Sequence, residues 1–392
     1  MTKFVFWFAL INNYKIYVNK NTEFLILANR SSKGGTMIYS LKLNWRNMLM
    51  LCIRSTIYTL GLVAFSVSAF EGESFQHKDW YLACDNTGTC RAAGYSEIGS
   101  LNPVAVMFTR KAGPAAPVTG KVYLGDESDF DHWPEQINLY IDGLELGPIQ
   151  HDAMTSMQVQ AILAVVTKDA LIEIGDGKTK WVLSGSGASA VFRKMDEYQG
   201  RQNTPFAIVA KGQGAESRVN LAVAIPTLVN VGGDAMMKSL EPESAQYAKL
   251  LPQLRASYES KGDSSECHRL FEETPSIAIA KLNNGQSLIE ASCWMAAYNY
   301  GSSYWLLGEG DAAVPKRLNI SGNDYSDGIV SSAHKGRGLG DCWSFESWLF
   351  DGKQMVRASY GNTGLCRGIA AGGIDFMPIW VSEVVPTQDL NK

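Results

Sequence analysis

Short apolar runs, broken by glycine, asparagine and aspartate, set the rhythm of the chain from residue 75 onward. A stretch over 75–97 predicts a β-hairpin whose turn is Asp85-Asn86-Thr87-Gly88, with Cys84 and Cys90 on either side of its mouth. Further strands are expected at 104–110, 120–124 and 137–141, the last ending at Asp142-Gly143. The period then changes to that of a helix. Thr155 with Gln158 forms a capping box, followed by Val159, Ile162, Leu163 and Val166 at helical spacing. Strands at 170–174 and 181–183 flank Asp176-Gly177. A second helix is expected over 187–198, with Val191, Phe192 and Met195 on one face and Gly200 as its stop.

Residues 231–265 read as a connector, with a Gly-Gly pair, Pro242 and Pro252, and a polar helical stretch over 244–255. Beyond it come short strands joined by sharp turns at Asn283-Asn284-Gly285 and Asp351-Gly352. The expected strands lie at 276–282, 288–298, 303–307, 328–333, 343–350, 354–360 and 376–384. The fold class expected is therefore α+β and β-rich. It comprises an N-terminal α+β domain over 70–230, carrying both helices, and a C-terminal antiparallel β domain over 266–392.

The first 69 residues stand apart. Residues 57–69 are apolar, follow Arg46 and Arg54, and end in Val67-Ser68-Ala69, with small residues where a signal peptidase reads. Thirteen residues fall short of the roughly 20 that a membrane span needs. Residues 37–69 thus read as a cleavable signal peptide, leaving no stable membrane span after cleavage. Cys52 follows Leu51 and makes no lipoprotein site. Residues 1–36 read as an upstream extension of a mis-assigned start, the true one being Met37, Met48 or Met50. Lys33-Gly34-Gly35 is what a ribosome-binding site reads as when translated. Export to the periplasm, or secretion beyond it, is the expected fate.

Setting that leader aside changes the charge. It holds eight of the 35 basic residues and one of the 39 acidic ones, so the remainder carries 27 against 38, a net of −11. Phosphate backbones and anionic lipid repel such a surface, which disfavours nucleic acid as a partner. Hydrophobic residues at 46% and charged residues at 19% mark a folded chain.

Six cysteines remain: Cys84, Cys90, Cys267, Cys293, Cys342 and Cys366. An even count in an exported chain reads as three disulfides, and of the possible connectivities the sequence-local one, 84–90, 267–293 and 342–366, is expected. No C-x2-C occurs, and His268 has no second ligand nearby, so a zinc site is not expected.

Catalytic motifs are sparse. The chain has no H-E-x-x-H, no P-loop and no G-x-S-x-G; Ser189 comes nearest, with Val191 where the second glycine belongs. Five histidines leave few bases that titrate near neutrality. The acidic run Asp126, Glu127, Asp129, Asp131, His132 and Glu135 offers carboxylates to Ca²⁺ but lacks an EF-hand's glycine and final glutamate. A solvated acidic turn is the preferred reading of it, and no cofactor is expected. The run His334-Lys335-Gly336-Arg337-Gly338-Leu339-Gly340-Asp341-Cys342 is the leading site candidate. Alternate glycines let backbone N–H groups converge as an anion nest flanked by His334, Lys335 and Arg337. They also suit a tight connection into a disulfide-bonded strand, which is the reading preferred. Trp294, Tyr298, Tyr300, Tyr304 and Trp305 form either a platform for a glycan or peptide or, more ordinarily, core.

Three segments carry a resemblance. They are Asp79-Trp80-Tyr81-Leu82-Ala83-Cys84-Asp85-Asn86 with Cys90-Arg91-Ala92, then Lys335 through Cys342, and Leu365-Cys366-Arg367-Gly368. Together they resemble the domain of unknown function 1176 family, across essentially the whole chain after the leader. The resemblance implies an exported protein with a signal peptide and six cysteines, and it implies no reaction. Trp343 departs from the small residue expected after the cysteine. The N-terminal half is more distantly similar to invasion-associated locus B proteins, through Trp80-x3-Cys84 and residues 183–195.

A non-enzymatic envelope module that binds a partner protein or a glycan is the function expected. The alternative is an envelope hydrolase using carboxylates such as Asp341 or Glu346 with His334, since catalytic carboxylates need no motif.

Overall fold

The computed structural model describes residues 14–18, 24–28, 70–125 and 134–387. The described residues fall into two compact units, one before residue 69 and one after it. In the first, β1 (Tyr14–Val18) pairs antiparallel with β2 (Phe24–Ala28). The expected signal peptide and Cys52 lie outside the described residues.

In the second unit, β3 (Glu73–His77), β4 (Trp80–Cys84), β5 (Cys90–Tyr95), β6 (Val104–Arg110) and β7 (Val118–Leu124) form a meander in sequence order. The expected 75–97 hairpin is two hairpins in succession, because the chain turns at Lys78 as well, with φ +51°. At the second turn Asp85 accepts from the Thr87 amide at 2.9 Å, and Gly88 takes φ +87°. That closure places Cys84 opposite Cys90 in register. Next come β8 (Ile137–Ile141), β9 (Leu144–Ile149), helix α1 (Ser156–Val165), β10 (Ile172–Gly175), β11 (Lys180–Leu183) and helix α2 (Ala188–Tyr198). The capping box of Thr155 and Gln158 closes in both directions. Strands β8–β11 make a sheet of order β11-β10-β8-β9.

One face of the β3–β7 sheet packs Trp80, Leu82, Val106 and Phe108 against Val159 and Ile162 of α1 and Val191, Phe192 and Met195 of α2. Its other face packs Tyr81, Tyr95, Ala105 and Met107 against Ile369, Ile374, Met377 and Ile379 from far along the chain. Residues of both expected domains therefore share a core.

The stretch expected as a connector builds structure. It supplies β13 (Lys238–Ser239) and all of α3 (Ala245–Glu259), while β12 (Thr227–Asn230) just before it pairs in parallel with β23 (Glu383–Pro386). α3 buries Tyr247, Leu250, Leu254 and Tyr258, a face its polar composition concealed. The remaining strands are β14 (Ile277–Lys281), β15 (Ser287–Met295), β16 (Tyr300–Leu307), β17 (Lys316–Gly322), β18 (Asp324–Ser326), β19 (Ile329–Lys335), β20 (Trp343–Phe350), β21 (Met355–Asn362) and β22 (Met377–Trp380). They form two five-stranded sheets, β13–β17 and β18–β22, each in sequence order. Ile277, Ile289, Ala291 and Trp305 of the first sheet pack under α3. Its opposite face packs Leu288 and Tyr304 against Val330, Phe350 and Met355 of the second. The fold is β-rich α+β, and among the described residues the strand pairs other than β12–β23 are antiparallel.

The three disulfides pair 84–90, 267–293 and 342–366, with Cα separations of 4.0, 4.2 and 4.9 Å. All three separations are below the roughly 7 Å beyond which a bridge cannot close without backbone movement. Among the described residues no helix is long and apolar enough to cross a membrane.

Candidate functional site

Two features that the sequence offers separately meet at one end of the paired C-terminal sheets. The link is Asn299, at the tip between β15 and β16. Its side chain accepts from the Lys335 amide and donates to the Lys335 carbonyl, each at 2.9 Å. That two-point clamp lays the aromatic hairpin against the start of the glycine loop. Tyr298 then lies 3.8 Å from where a Cβ on Gly338 would sit. His334 Nε2 is 3.1 Å from the Tyr300 carbonyl oxygen, and its ring lies 5.4 Å from that of Trp294.

The loop is closed from within. Arg337 donates from Nε and Nη2 to the two oxygens of Asp341 at 2.7 and 2.5 Å, and the Gly368 amide donates to the same carboxylate at 2.6 Å. Burial acts to raise the Asp341 pKa, but the Arg337 and Gly368 hydrogen bonds outweigh it and hold the carboxyl below its ordinary value. Asp341 is fully buried while Arg337 is 43% exposed, so the guanidinium is paired with a carboxylate of its own loop. The Gly340 amide donates to the Arg337 carbonyl at 3.0 Å, closing a turn in which Gly340 has φ +73°. A Cβ on Gly336 would come within 2.5 Å of the Cys342 sulfur and 2.8 Å of the Cys366 sulfur. Gly338 has no positive φ and meets nothing close, so the strict requirement for glycine falls on Gly336 and Gly340. Lys335 lies over the Trp343 ring at 5.3 Å, and the indole N–H donates to the Gly340 carbonyl.

The expected aromatic stretch divides. Tyr304 and Trp305 are buried in the two cores, whereas Met295, Tyr298 and Tyr300 are 61%, 48% and 49% exposed, with Leu339 of the glycine loop at 47%. Strand alternation alone does not say which face is covered, because both faces of β16 carry aromatic residues.

The carboxylates considered for hydrolysis are engaged elsewhere. Glu346 ion-pairs with Arg357 at 2.9 Å, and the Arg357 guanidinium also lies over the rings of Trp348 and Tyr360. Asp341 is held as described. Asp341, Cys342 and Cys366 gather closely enough to suggest a metal site, but the disulfide takes both sulfurs. The acidic run at Asp126, Asp129 and Asp131 lies outside the described residues.

Sequence reading missed an acidic group further along the same hairpin. Glu290 interrupts the apolar run of β15 and sits directly opposite Tyr304 on β16. Burial raises its pKa, and the nearby Asp324 carboxylate raises it further. Tyr304 is fully buried, and its hydroxyl has no hydrogen-bond partner among the described residues. Burial raises the Tyr304 pKa, with Glu290 and Asp324 adding to it. A lone charge in the middle of an apolar strand was the available signal.

The family model described as protein of unknown function DUF1176 matches residues 74–382. The chain is 24% identical over 317 residues to the uncharacterized protein YpfG of Escherichia coli (strain K12), covering 74% of this chain and 87% of that one. No solved structure matches.

Proposed function

The chain belongs to the DUF1176 family of proteins of unknown function, and from that premise we propose that it is a non-enzymatic binding module of the cell envelope. It is exported to the periplasm and takes a partner protein or a glycan on the rim around Tyr298 and Tyr300. One observation carries the reading. Met295, Tyr298, Tyr300 and Leu339 come from two distant segments, each is about half exposed or more, and the Asn299–Lys335 clamp holds the segments together. Large apolar side chains held on a fixed scaffold give contact area at little ordering cost. Lys335 and His334 add polar groups beside them. Three disulfides and an acidic surface after the leader fit an oxidising envelope compartment.

The test places a photo-crosslinking residue at Leu339 in cells and measures co-sedimentation of the purified protein with peptidoglycan sacculi. An adduct or a sacculus-bound fraction that disappears in a Tyr298→Ala, Tyr300→Ala double variant is expected. Adducts and co-sedimentation both unchanged in that variant would overturn the reading. Mass spectrometry of the periplasmic fraction should find the chain beginning near Phe70.

A further inference from the structure

We propose that Glu290, Asp324 and the Tyr304 phenol, with the Ser302 hydroxyl, form a binding site for a hard divalent cation, Ca²⁺. The site goes beyond the partner-binding reading and uses none of its residues.

The argument begins with register. Glu290 lies opposite Tyr304 on the face of the first C-terminal sheet that meets the second, and Ser302 follows one alternation further along the same face. Asp324 opens the second sheet, where its carboxylate lies 3.4 Å from the Ser331 hydroxyl. The turn between the sheets brings the backbone close. A Cβ on Gly322 would stand 2.9 Å from the Ser331 carbonyl oxygen and 3.1 Å from the Tyr304 hydroxyl. Every donor available here is oxygen, the set that Ca²⁺ prefers.

Two acidic residues alone would mean little. The second observation is the Tyr304 hydroxyl, fully buried and without a partner among the described residues, within electrostatic reach of both carboxylates. A buried hydroxyl left so costs free energy, and two like charges beside it repel each other. One divalent cation relieves both: it neutralises the carboxylates and gives the phenol oxygen a partner. Asp324 is exposed, so the cation has a way in, and waters can complete six to eight ligands.

The protein without its leader, stripped with chelator, is titrated with CaCl₂ or MgCl₂ by calorimetry and by melting. Saturable 1:1 binding of Ca²⁺ with a midpoint of roughly 10⁻⁴–10⁻³ M is expected, the range of extracellular Ca²⁺ modules. Glu290→Gln and Asp324→Asn should each weaken it at least tenfold. Tyr304→Phe should weaken it several-fold while leaving the melting temperature of the stripped protein unchanged or higher, because the lost hydroxyl had no partner. Asp324→Asn lies on the surface, so a misfolded Glu290→Gln would not leave the question open. Absence of binding at about 10 mM overturns the proposal, as does an affinity unchanged in all three variants. Binding abolished by Asp129→Asn alone, which would assign the ion to the acidic run, overturns it too.

Discussion

The Arg367 guanidinium donates to the Asp79 carboxylate at 3.0 Å across 288 positions of sequence, with both side chains largely buried. Asp79 also accepts from the Ser184 hydroxyl at 2.7 Å, and Arg367 reaches the Ser96 carbonyl. The pair ties the segment after the last disulfide to the β3–β7 sheet, beside the core those residues share. Arg367→Ala should therefore leave a largely buried carboxylate without its cation and cost on the order of 3 kcal/mol. Urea unfolding of the two proteins measures it. A difference within ~0.5 kcal/mol, the range of an ordinary surface change, would show that the tie contributes nothing.

Asp341 should make stability sensitive to acid. Its folded pKa is lowered, so its contribution is present in full above the ordinary carboxylate value of about 3.9 and is lost as pH falls through the folded value. Asp341→Asn should melt well below the parent protein at pH 7, and the gap should narrow below about pH 4. Melting temperatures recorded from neutral to acid test this, and a gap constant across that range would refute it.

Glu290 carries the opposite sign. Its folded pKa is raised, so ionisation is harder in the folded state, and stability falls as pH rises from the ordinary glutamate value of about 4.3 to the raised one. Above that it levels off. Glu290→Gln should abolish the decline and be the more stable protein at pH 8 when chelator is present. An identical pH profile for the two proteins would remove Glu290 as the cause.

The glycine loop separates two substitutions that look alike in sequence. Gly336→Ala drives a methyl group into the Cys342–Cys366 disulfide and should cost more than about 1 kcal/mol, as overpacking does. Gly338→Ala meets only Tyr298 at an ordinary contact distance and should be close to neutral. Thermal melts of both variants decide, and equal losses would mean the loop is packed differently.

Features that depend on neighbours along the chain are legible in the sequence. The capping box at Thr155, the helix over Ala188–Tyr198 and the strands Val104–Arg110, Ile137–Ile141 and Trp343–Phe350 follow from period and turn chemistry. The Cys84–Cys90 pair follows from the same source, because a turn closing six residues leaves little other choice to those two cysteines. Boundaries slipped where two turns lay close together, as at Lys78, or where a strand such as Lys316–Gly322 carried too little apolar alternation to announce itself. It took the folded arrangement to show that Asp79 meets Arg367, that Asn299 pins the glycine loop, and that the 231–265 stretch gives strand β13 to the C-terminal sheet and helix α3 to its face. The physical reason is that strand alternation specifies two faces without saying what will cover either. Tyr304 and Tyr300 stand four residues apart on one face of one strand, and the packing of a second sheet buries the first and leaves the other half exposed.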